Sequence, residues 1–435
     1  MTSSQTDAVP IAVIGGSSAF LPSLAAALAD QAADMPPLEL RLVGRDRDRT
    51  SAVGRFCRLH AEHRGAPHSY VIADDVEAAA RGASIVLNQV RIGGFSGRSQ
   101  DEQLALSFGY PGDETIGPSG LAAAIRATAP VLDIARTVEK VAPDAWFLQI
   151  SNPMSMLLSN LIANTGLRTF GLCELPDRTL TEALELIGRN SQPVTSQYVG
   201  LNHQGWFVRV EAGGEDLLPE IFEHVLELDD GGFFGVDAQV MRAQGGLPLP
   251  YLKLLLHRER TVEKMLARPH DRGEQLAALA EALYAHYAST GDPALPARLQ
   301  EREMLWNAMT VVPVLAALLG GPEVMAYVSE PNRGHLSFLG PDAIVEKHAT
   351  ITADGVGTVS PCQLDIEVSH PHIAESLRGI SEFEQLGATA ALRRDPTLAV
   401  EALQAHPFAI PSAEAHEMVG MMLATEDVGT GRLIS

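Results

Sequence analysis

The feature that most constrains the fold of this chain is the alternation of short apolar runs with helix-like segments in its first half. The six runs, at residues 11–14, 38–43, 69–72, 84–87, 146–150 and 169–172, are each followed by a turn. The order strand, turn, helix, strand is typical of parallel βαβ units. The sequence therefore predicts an α/β fold with a Rossmann-like, doubly wound parallel sheet.

The pattern changes near Tyr198, and this change divides the chain into two predicted domains. The predicted elements beyond it are a strand at 206–210, helices across 217–320, short strands at 344–346 and 349–351, and terminal helices. We predict that residues 1–198 form a nucleotide-binding domain. Residues 199–435 are predicted to form a mixed α+β domain that binds the substrate.

Charge and cysteine content exclude several classes of protein. The chain has 32 Lys and Arg against 54 Asp and Glu, a net charge of −22, whereas a nucleic-acid binder needs a basic surface. The 3 cysteines lie in no CxxC motif, which favours a reducing compartment. No stretch has the length of a membrane span or the pattern of a secretory signal. We expect a cytoplasmic protein with neither a nucleic-acid nor a membrane partner.

The turn after the first strand is the first candidate binding feature. A glycine turn at this place lets backbone amides and a helix N-terminus face a pyrophosphate. We therefore predict that Gly15, Gly16, Ser17, Ser18 and Phe20 bind a dinucleotide. The alternative is an ordinary strand-to-helix loop, since the segment is not GxGxxG.

The residues after the second strand bear on which dinucleotide binds. Asp46 would accept a hydrogen bond from the ribose 2′-hydroxyl of NAD, whereas Arg45 would suit the 2′-phosphate of NADP. We prefer NAD.

A charged, glycine-rich loop follows the fourth strand, at the edge of the sheet where ligands bind in this class of fold. Asn88 and Arg91 are predicted to contact the cofactor, and Arg91, Arg98 and Glu114 the substrate. Two arginines suit an oxyanion such as a phosphate or a sulfonate. The alternative is that Arg98 forms an ion pair with a neighbouring carboxylate.

Polar residues also follow the fifth and sixth strands. Asn152 precedes a proline, and Cys173 lies 30 residues before His203. A thiolate and an imidazole suit a first-row divalent cation and leave positions open for substrate oxygens. The alternative is a buried apolar cysteine and a hydrogen-bonded histidine.

These segments resemble a known family, the NAD- and metal-dependent glycoside hydrolases of family 4, typified by 6-phospho-α- and 6-phospho-β-glucosidases. The resemblance runs over nearly the whole chain. The segments that carry it are IAVIGG, NQVRIGGFSGR, DETIGPSGLAAAIR, SNPMSML, GLCELP, GLNHQGWF, LPYLK, NRGHLSFLGPDAIVE and EFEQLGATAAL. Their order and spacing are far more specific than any one motif.

The resemblance implies a redox route to hydrolysis. In this family NAD+ takes a hydride from C3 of the sugar, a base removes the acidified C2 proton, and the aglycone leaves. Water then adds, and NADH returns the hydride. By position, Cys173 and His203 match the metal ligands, usually of Mn2+, and Asn152 and Asn202 match asparagines near the substrate and metal.

Tyr251 matches the family's tyrosine segment, and we assign it as the base that removes the C2 proton. The ordinary pKa of a tyrosine is near 10, so a nearby cation must help to deprotonate it. The alternative is an aromatic anchor on a helix.

The chain departs from the family pattern near the expected pocket. Glu174 stands where relatives carry Asn or Asp, Gln204-Gly205 follow His203, and Lys253 with three leucines follows Tyr251. Glu174 is predicted to act as a general acid, with a helix cap as the alternative.

The resemblance implies a small anionic glycoside as substrate and a homodimer or homotetramer as assembly. We expect a 6-phospho-glucoside. The departures leave open a sister group, the NAD-dependent sulfoquinovosidases, in which the divalent metal is not necessarily used. Two further hypotheses are an NAD(P)-dependent dehydrogenase of hydroxy acids or polyols and a non-catalytic NAD sensor.

Overall fold

The computed structural model describes residues 8–228, 232–302 and 306–426. Each of the six predicted strands of the first half is present. The strands are β1 (Val9–Ile14), β2 (Leu38–Val43), β3 (Ser69–Ile72), β4 (Ile85–Asn88), β5 (Trp146–Gln149) and β6 (Arg168–Leu172). The helices that alternate with them are α1 (Leu21–Asp30), α2 (Arg47–Arg64), α3 (Val76–Ala80), α4 (Gly94–Ser107), α5 (Gly117–Val141), α6 (Met154–Asn164) and α7 (Leu175–Leu186).

Local chemistry explains where several of these helices begin and end. Asp46 and Asp75 each accept a hydrogen bond from a backbone N–H in the first turn of the helix that follows, α2 and α3 respectively. Gly65 ends α2 in the left-handed conformation that glycine adopts without steric cost. The strands are apolar because helices cover both faces of the sheet.

The second half of the chain is mixed, as predicted. Its strands are β7 (Thr195–Leu201), β8 (Gln204–Ala212), β9 (Glu215–Asp216), β10 (Gly232–Phe233), β11 (Val236–Asp237), β12 (Leu247–Pro248), β13 (Val324–Pro331), β14 (Ile344–Thr352) and β15 (Gly355–Val359). Its α-helices are α8 (Leu218–Leu226), α9 (Ala238–Gln244), α10 (Lys253–Leu256), α11 (Arg258–Leu266), α12 (Arg272–Ser289), α13 (Val312–Leu318), α14 (Ile366–Ser369), α15 (Pro371–Arg393), α16 (Pro396–Ala405) and α17 (Ser412–Glu426). Short 3-10 helices span Ala32–Asp34, Pro250–Leu252 and Ala297–Glu301, and a π-helical turn spans Asn307–Val311.

One prediction in the second half was wrong. The two short strands predicted at 344–346 and 349–351 are a single strand, β14. The polar residues Lys347 and His348 separate the two predicted runs. Lys347 is instead accommodated inside the strand, because its ammonium group pairs with the Glu330 carboxylate on β13 at 2.9 Å.

The principal sheet has nine strands in the order β15-β14-β13-β6-β5-β4-β1-β2-β3. The six strands from β1 to β6 are parallel, which confirms the Rossmann-like prediction. β13 pairs antiparallel with β6, so strands from both sides of residue 198 share this sheet. The division into domains at residues 198 and 199 stays a prediction.

A second sheet, in the order β12-β8-β7, lies in the C-terminal part. Its β7–β8 hairpin pairs Leu201 with Gln204, so Asn202 and His203 form the tip of the hairpin. The parallel order of β1, β4, β5 and β6 brings their carboxyl ends to a common edge of the principal sheet. No helix among the described residues is long and apolar enough to cross a membrane.

Candidate active site

The glycine turn after β1 packs closely against β2 and against the residues that follow β4. Gly15 has a φ of +93°, and a Cβ there would lie 2.9 Å from the Gln89 carbonyl oxygen. A Cβ on Gly16 would lie 2.8 Å from the Leu42 Cβ. Both positions therefore require glycine. Ser17, Ser18 and Phe20 complete the turn, and α1 begins at Leu21, whose N–H donates to the Ser18 carbonyl oxygen at 3.0 Å.

The Phe20 side chain is part of the core rather than of an open surface. Its ring packs edge-on against Phe95, with 6.5 Å between the ring centroids, and the Arg302 guanidinium lies 4.5 Å from its centroid. Phe20 is therefore placed to contribute backbone to a cofactor site, while its ring connects the turn to the charged loop.

The two residues predicted to distinguish NAD from NADP are both exposed. Asp46 is engaged as the cap of α2, where it accepts from the Arg49 N–H at 2.9 Å. Its other carboxylate oxygen lies 3.0 Å from the Arg49 guanidinium. Arg45 lies beside it at the same end of β2.

Asn88 ends β4 in a fully buried position. Its Nδ2 donates to the Gln149 side-chain oxygen on β5 at 2.7 Å. Its Oδ1 has no hydrogen-bond partner. Asn152, which follows β5 and forms a cis peptide bond with Pro153, has an unpartnered buried Oδ1 as well. Buried amide oxygens in native proteins are normally hydrogen-bonded, so these two are candidates for contact with a ligand.

The segment after β4 that the sequence predicted as a charged loop is largely the helix α4, so that part of the prediction was wrong. Its arginines are paired within the protein. Arg98 donates to Glu102 at 2.6 Å and lies 3.2 Å from Glu114. Arg91 also pairs with Glu114. The alternative that Arg98 forms an internal ion pair is therefore what the structure shows, and the free two-arginine site that the sequence suggested is absent from the described residues.

Arg302, which sequence analysis did not single out, lies between this loop and the glycine turn. No carboxylate of the described residues lies within ion-pair distance of its guanidinium. Burial, together with the charges of Arg98 and Arg272, lowers its pKa to about 10. The charges of Tyr251 and Glu174 also act on it. Arg302 belongs to no recognisable motif. It follows the 3-10 helix Ala297–Glu301, about 200 residues after the charged loop that it approaches.

Cys173 follows β6 and is 4% exposed. Burial raises the pKa of its thiol well above the ordinary value, and the nearby carboxylates of Glu346 and Glu174 act in the same direction. The thiol is therefore protonated unless a cation stabilises the thiolate. Asn202 hydrogen-bonds to it from the hairpin of the second sheet.

Glu174 immediately follows Cys173 and precedes α7. Its side chain makes no capping hydrogen bond, so the helix-cap alternative is not what the structure shows. Burial raises the pKa of its carboxyl group. A carboxylic acid that keeps its proton closer to neutral pH is suited to proton donation.

His203 occupies the tip of the β7–β8 hairpin with a φ of +66°, which is uncommon for a residue other than glycine. It is 8% exposed, and its Nδ1 has no hydrogen-bond partner. Burial lowers its pKa to about 4. The imidazole is therefore neutral at pH 7, as metal ligation requires.

Tyr251 lies in the 3-10 helix Pro250–Leu252, and its ring stacks on His203 with 4.4 Å between centroids and 19° between planes. Burial raises the pKa of its phenol above the ordinary range, as does the charge of Asp113. Arg98 lowers it, whereas the charges of Glu174 and Cys173 raise it. The structure thus brings Tyr251 together with Cys173, His203, Glu174 and Arg98, and the phenol needs an added cation to ionise.

The donor set fits a divalent ion that is held by few protein ligands. The described residues contain no group of three or more His, Cys, Asp and Glu side chains arranged to hold a metal. Cys173 and His203, together with the unpartnered Asn202 Oδ1, supply sulfur, nitrogen and oxygen donors. Open positions would remain for oxygens of a substrate.

Two protein-family models match the chain. One, for family 4 glycosyl hydrolase, matches residues 10–187, and the other, for its C-terminal domain, matches residues 198–409. Together they span most of the chain, including both sheets.

Individual relatives agree with the family match. A 6-phospho-beta-glucosidase of Thermotoga maritima is 26% identical over 416 residues, which are 95% of this chain and 97% of that protein. Maltose-6'-phosphate glucosidase of Bacillus subtilis is 30% identical over 220 residues, so that the chain spans about half of that relative's length, 49%. A solved structure of the Thermotoga maritima 6-phospho-beta glucosidase with manganese, NAD+ and glucose-6-phosphate has a TM-score of 0.85 at 25% identity, covering 97% of this chain and 99% of that one.

Proposed function

The chain belongs to family 4 of the glycosyl hydrolases, and from this premise we propose that it hydrolyses 6-phospho-glucosides with NAD and a divalent metal ion as cofactors. The observation that carries the proposal is the stacking of Tyr251 on the neutral His203, with Cys173 and Glu174 close enough to influence the phenol. The proximity of these four residues supports their assignment as a base, an acid and two metal ligands.

The glycine turn is the proposed pyrophosphate site. Gly15 and Gly16 let the chain turn tightly against Gln89 and Leu42, and Ser17, Ser18 and Phe20 lead into the N-terminus of α1, where the helix dipole favours negative charge. Asp46 is proposed to receive the ribose hydroxyls, with Arg45 beside it. Asn88 and Arg91 lie after β4, where the nicotinamide end of such a cofactor would reach.

Cys173 and His203 are proposed to hold the metal, with Mn2+ as the expected ion. When bound, NAD supplies a hydride acceptor for C3 of the sugar, and the metal ion polarises the adjacent oxygens. Asn202 and Asn152 are proposed to hold the metal shell and the substrate hydroxyls through their unpartnered side-chain oxygens.

Tyr251 is proposed to remove the proton at C2. Burial keeps the phenol protonated in the protein alone, so the base forms only when a cation lies beside it. Its stacking on His203 restricts the rotation of the ring and fixes the direction of the phenol oxygen. The phenol of Tyr251 would therefore become a base only after the metal ion has bound.

Glu174 is proposed as the acid that protonates the departing oxygen at C1. Its raised pKa keeps a proton available, and its neighbour Cys173 places it at the same edge of the sheet. Tyr251 then takes one proton from C2 onto its phenolate oxygen, and Glu174 gives another proton to the leaving group.

The anionic group at C6 is proposed to bind beside Arg302. Arg91 and Arg98 are already balanced by Glu102 and Glu114, whereas Arg302 has no carboxylate partner among the described residues. Arg91, Arg98 and Glu114 would then shape the site through their own ion pairs.

The proposal is tested by the release of p-nitrophenol from matched glycosides. The panel contains neutral glucose, glucose 6-phosphate and sulfoquinovose in both anomeric forms, with and without NAD+ and Mn2+. We expect release from the 6-phosphate only, dependent on NAD+ and Mn2+, with no net NADH. Release only from the sulfonated sugar would replace the phosphate by a sulfonate as the C6 anion.

Other outcomes separate the remaining hypotheses. Net reduction of NAD+ by a free sugar or hydroxy acid, without glycoside cleavage, would identify a dehydrogenase. Binding of NAD without turnover of any compound, and without effect of changes at Tyr251, would identify a sensor.

We also propose that the protein acts in the cytoplasm as a homodimer or homotetramer. The cytoplasmic location is supported by the three cysteines, all of which are free thiols: Cys57, Cys173 and Cys362. Size-exclusion chromatography with light scattering tests the second part, and a monomer would contradict it.

A further inference from the structure

The buried carboxyl group of Glu346 lies next to the proposed metal site but outside the machinery described so far. It is on β14, in the principal sheet, and is 1% exposed. Its two oxygens accept different hydrogen bonds, one from the Tyr198 hydroxyl at 2.5 Å and one from the Asn202 Nδ2 at 3.0 Å. Both donors belong to the β7–β8 hairpin, so Glu346 connects the two sheets.

The hairpin is shaped to let Tyr198 reach this carboxyl group. Gly200 and Gly205 are paired across the hairpin, and a Cβ on Gly200 would lie 2.6 Å from the Tyr198 hydroxyl oxygen. The two glycines therefore leave the space that the phenol occupies. Tyr198 thus runs alongside the hairpin rather than away from it, toward β14.

The hydrogen bond to Glu346 fixes which way the Asn202 amide points. The Glu346 Oε1 accepts a hydrogen bond from the Asn202 Nδ2, so the amide turns its nitrogen toward the carboxyl group. The Oδ1 then points elsewhere, and it is buried without any hydrogen-bond partner. The next residue along the chain is His203, whose Nδ1 is also buried and unpartnered.

Cys173 faces the hairpin from the principal sheet, where it follows the end of β6. The thiol hydrogen-bonds to Asn202 and also to Glu346. One carboxyl group therefore contacts the cysteine of one sheet and holds the asparagine of the other. Outer-shell partners of this kind orient metal ligands in other proteins.

We propose that Glu346 and Tyr198 are positioning residues that hold the hairpin tip against Cys173, so that Asn202 and His203 present their free atoms to a divalent ion. The inference rests on the proposed function, because it presupposes the metal site. Neither residue touches the substrate in this account. Their role is to determine the separation of ligands that come from two different sheets.

The test compares Tyr198→Phe and Glu346→Gln with a matched control, Tyr327→Phe. Tyr327 is a buried tyrosine in the same core, 5.0 Å from the Tyr198 ring, and its hydroxyl bonds to Ser196 instead. Each variant removes a polar group with little change in volume. The measured quantities are the Kd for Mn2+, from the electron paramagnetic resonance signal of free Mn2+, and the Kd for NAD+, from fluorescence quenching.

We expect Tyr198→Phe and Glu346→Gln each to weaken Mn2+ binding by about 10- to 100-fold, while NAD+ binding changes less than about twofold. Tyr327→Phe should leave both constants unchanged. The double variant Tyr198→Phe/Glu346→Gln should be little weaker than the worse single variant, because both changes act on one network.

Two results would overturn the inference alone: wild-type Mn2+ affinity in both variants, or an equal loss in Tyr327→Phe, which would point to general damage of the core. Failure of the wild-type protein to bind Mn2+ would overturn the metal assignment of the proposed function and the inference with it. Tyr198→Phe preserves the ring and its packing, so this arm remains decisive even where Glu346→Gln does not fold.

Discussion

The charged loop and the hairpin tip both bury polar groups beside the proposed substrate, but they satisfy them differently. The group that we call the charged loop comprises Arg91, Arg98, Asp101, Glu102, Glu114 and Arg126, of which Arg98, Asp101 and Glu102 lie on α4 and Arg126 lies on α5. Each of its guanidinium groups meets a carboxylate. At the hairpin tip, the Asn202 Oδ1 and the His203 Nδ1 have no hydrogen-bond partner. The loop is complete as a protein structure, whereas the tip lacks partners that a ligand would provide.

This difference teaches how to weigh the two regions. Arginines in a sequence are commonly interpreted as anion-binding residues. Those of the charged loop, however, form ion pairs with neighbouring carboxylates. A buried polar atom without a partner costs free energy unless something pairs with it, and native proteins retain few of them. The unpartnered atoms of the hairpin tip therefore support the proposed reaction centre more strongly than the paired charges of the loop do.

The largest expected effect comes from Tyr251, which stacks on the hairpin tip. Tyr251→Phe removes the phenol oxygen and keeps the ring, so we expect kcat to fall by about 10²- to 10⁴-fold, the usual contribution of a general base. The Kd for NAD+ should not change. Steady-state kinetics on the 6-phosphate glycoside check this, and near-normal kcat would remove Tyr251 as the base.

The next effect concerns the metal ligands. Cys173→Ser replaces the thiol by a poor ligand for Mn2+, and we expect the affinity for Mn2+ to fall by at least the ~100-fold that loss of an outer-shell partner costs. Isothermal titration with Mn2+ checks this. The matched control is Cys57→Ser, at a buried cysteine of the nucleotide-binding half, which should leave Mn2+ affinity intact. An active, metal-free enzyme would refute the assignment.

Breaking the charged loop should cost stability rather than ligand affinity. Asp101→Asn leaves the Arg126 guanidinium buried without its carboxylate, and loss of one partner of a buried pair costs about 3–5 kcal/mol. Urea unfolding measures the free energy, with Asp133→Asn on the exposed face of α5 as control. A loss of Mn2+ or NAD+ affinity without a loss of stability would reverse the comparison of loop and tip.

A smaller effect is expected at Arg302. Arg302→Gln removes the charge that has no carboxylate partner in the described part of the chain, and a hydrogen bond to a charged group is worth about 1.5–3 kcal/mol. We expect KM for the 6-phosphate glycoside to rise about tenfold or more. The Kd for NAD+ is measured in parallel, and a loss there instead would assign Arg302 to the cofactor pyrophosphate.

The smallest effect comes from a buried polar atom remote from the site. His406 Nε2 is unpartnered, and burial lowers the pKa of this histidine to about 3. Between pH 6.5 and about 3 the unfolded chain therefore binds a proton that the folded protein does not, so the histidine's contribution to stability is lost as pH falls through this window.

His406→Leu should accordingly lose less unfolding free energy than the wild type between pH 7 and pH 5. The substitution also removes the His406 Nδ1 that accepts from the Phe408 N–H, but this loss is the same at both pH values. The difference between the two pH values therefore reports the titration of His406 alone. Urea unfolding at the two pH values checks this. An identical pH dependence in both proteins would show that His406 titrates normally.

The sequence predicts the features that depend on local pattern. The strands β1 to β6 follow from short apolar runs, and the glycine turn follows from its place after β1. The pairing of Arg98 with a nearby carboxylate was foreseen as an alternative, but the helix α4 that brings Glu102 beside it was not predicted.

The sequence does not predict what distant strands bring together. Glu346 joins the site because β14 adds to the principal sheet through β13, and Tyr198 reaches it only because two glycines pair across the hairpin. Arg302 is similar, since its neighbours Phe20 and Arg98 lie in the other half of the chain. No local periodicity encodes such long-range pairings.

The central claim is that this site removes a proton from C2 of the sugar during hydrolysis, and isotope exchange tests it most directly. The wild-type enzyme hydrolyses the p-nitrophenyl 6-phospho-glucoside in D2O with NAD+ and Mn2+, and the product is analysed by NMR. The account predicts glucose 6-phosphate with deuterium at C2. Release of p-nitrophenol with only protium at C2 would contradict it.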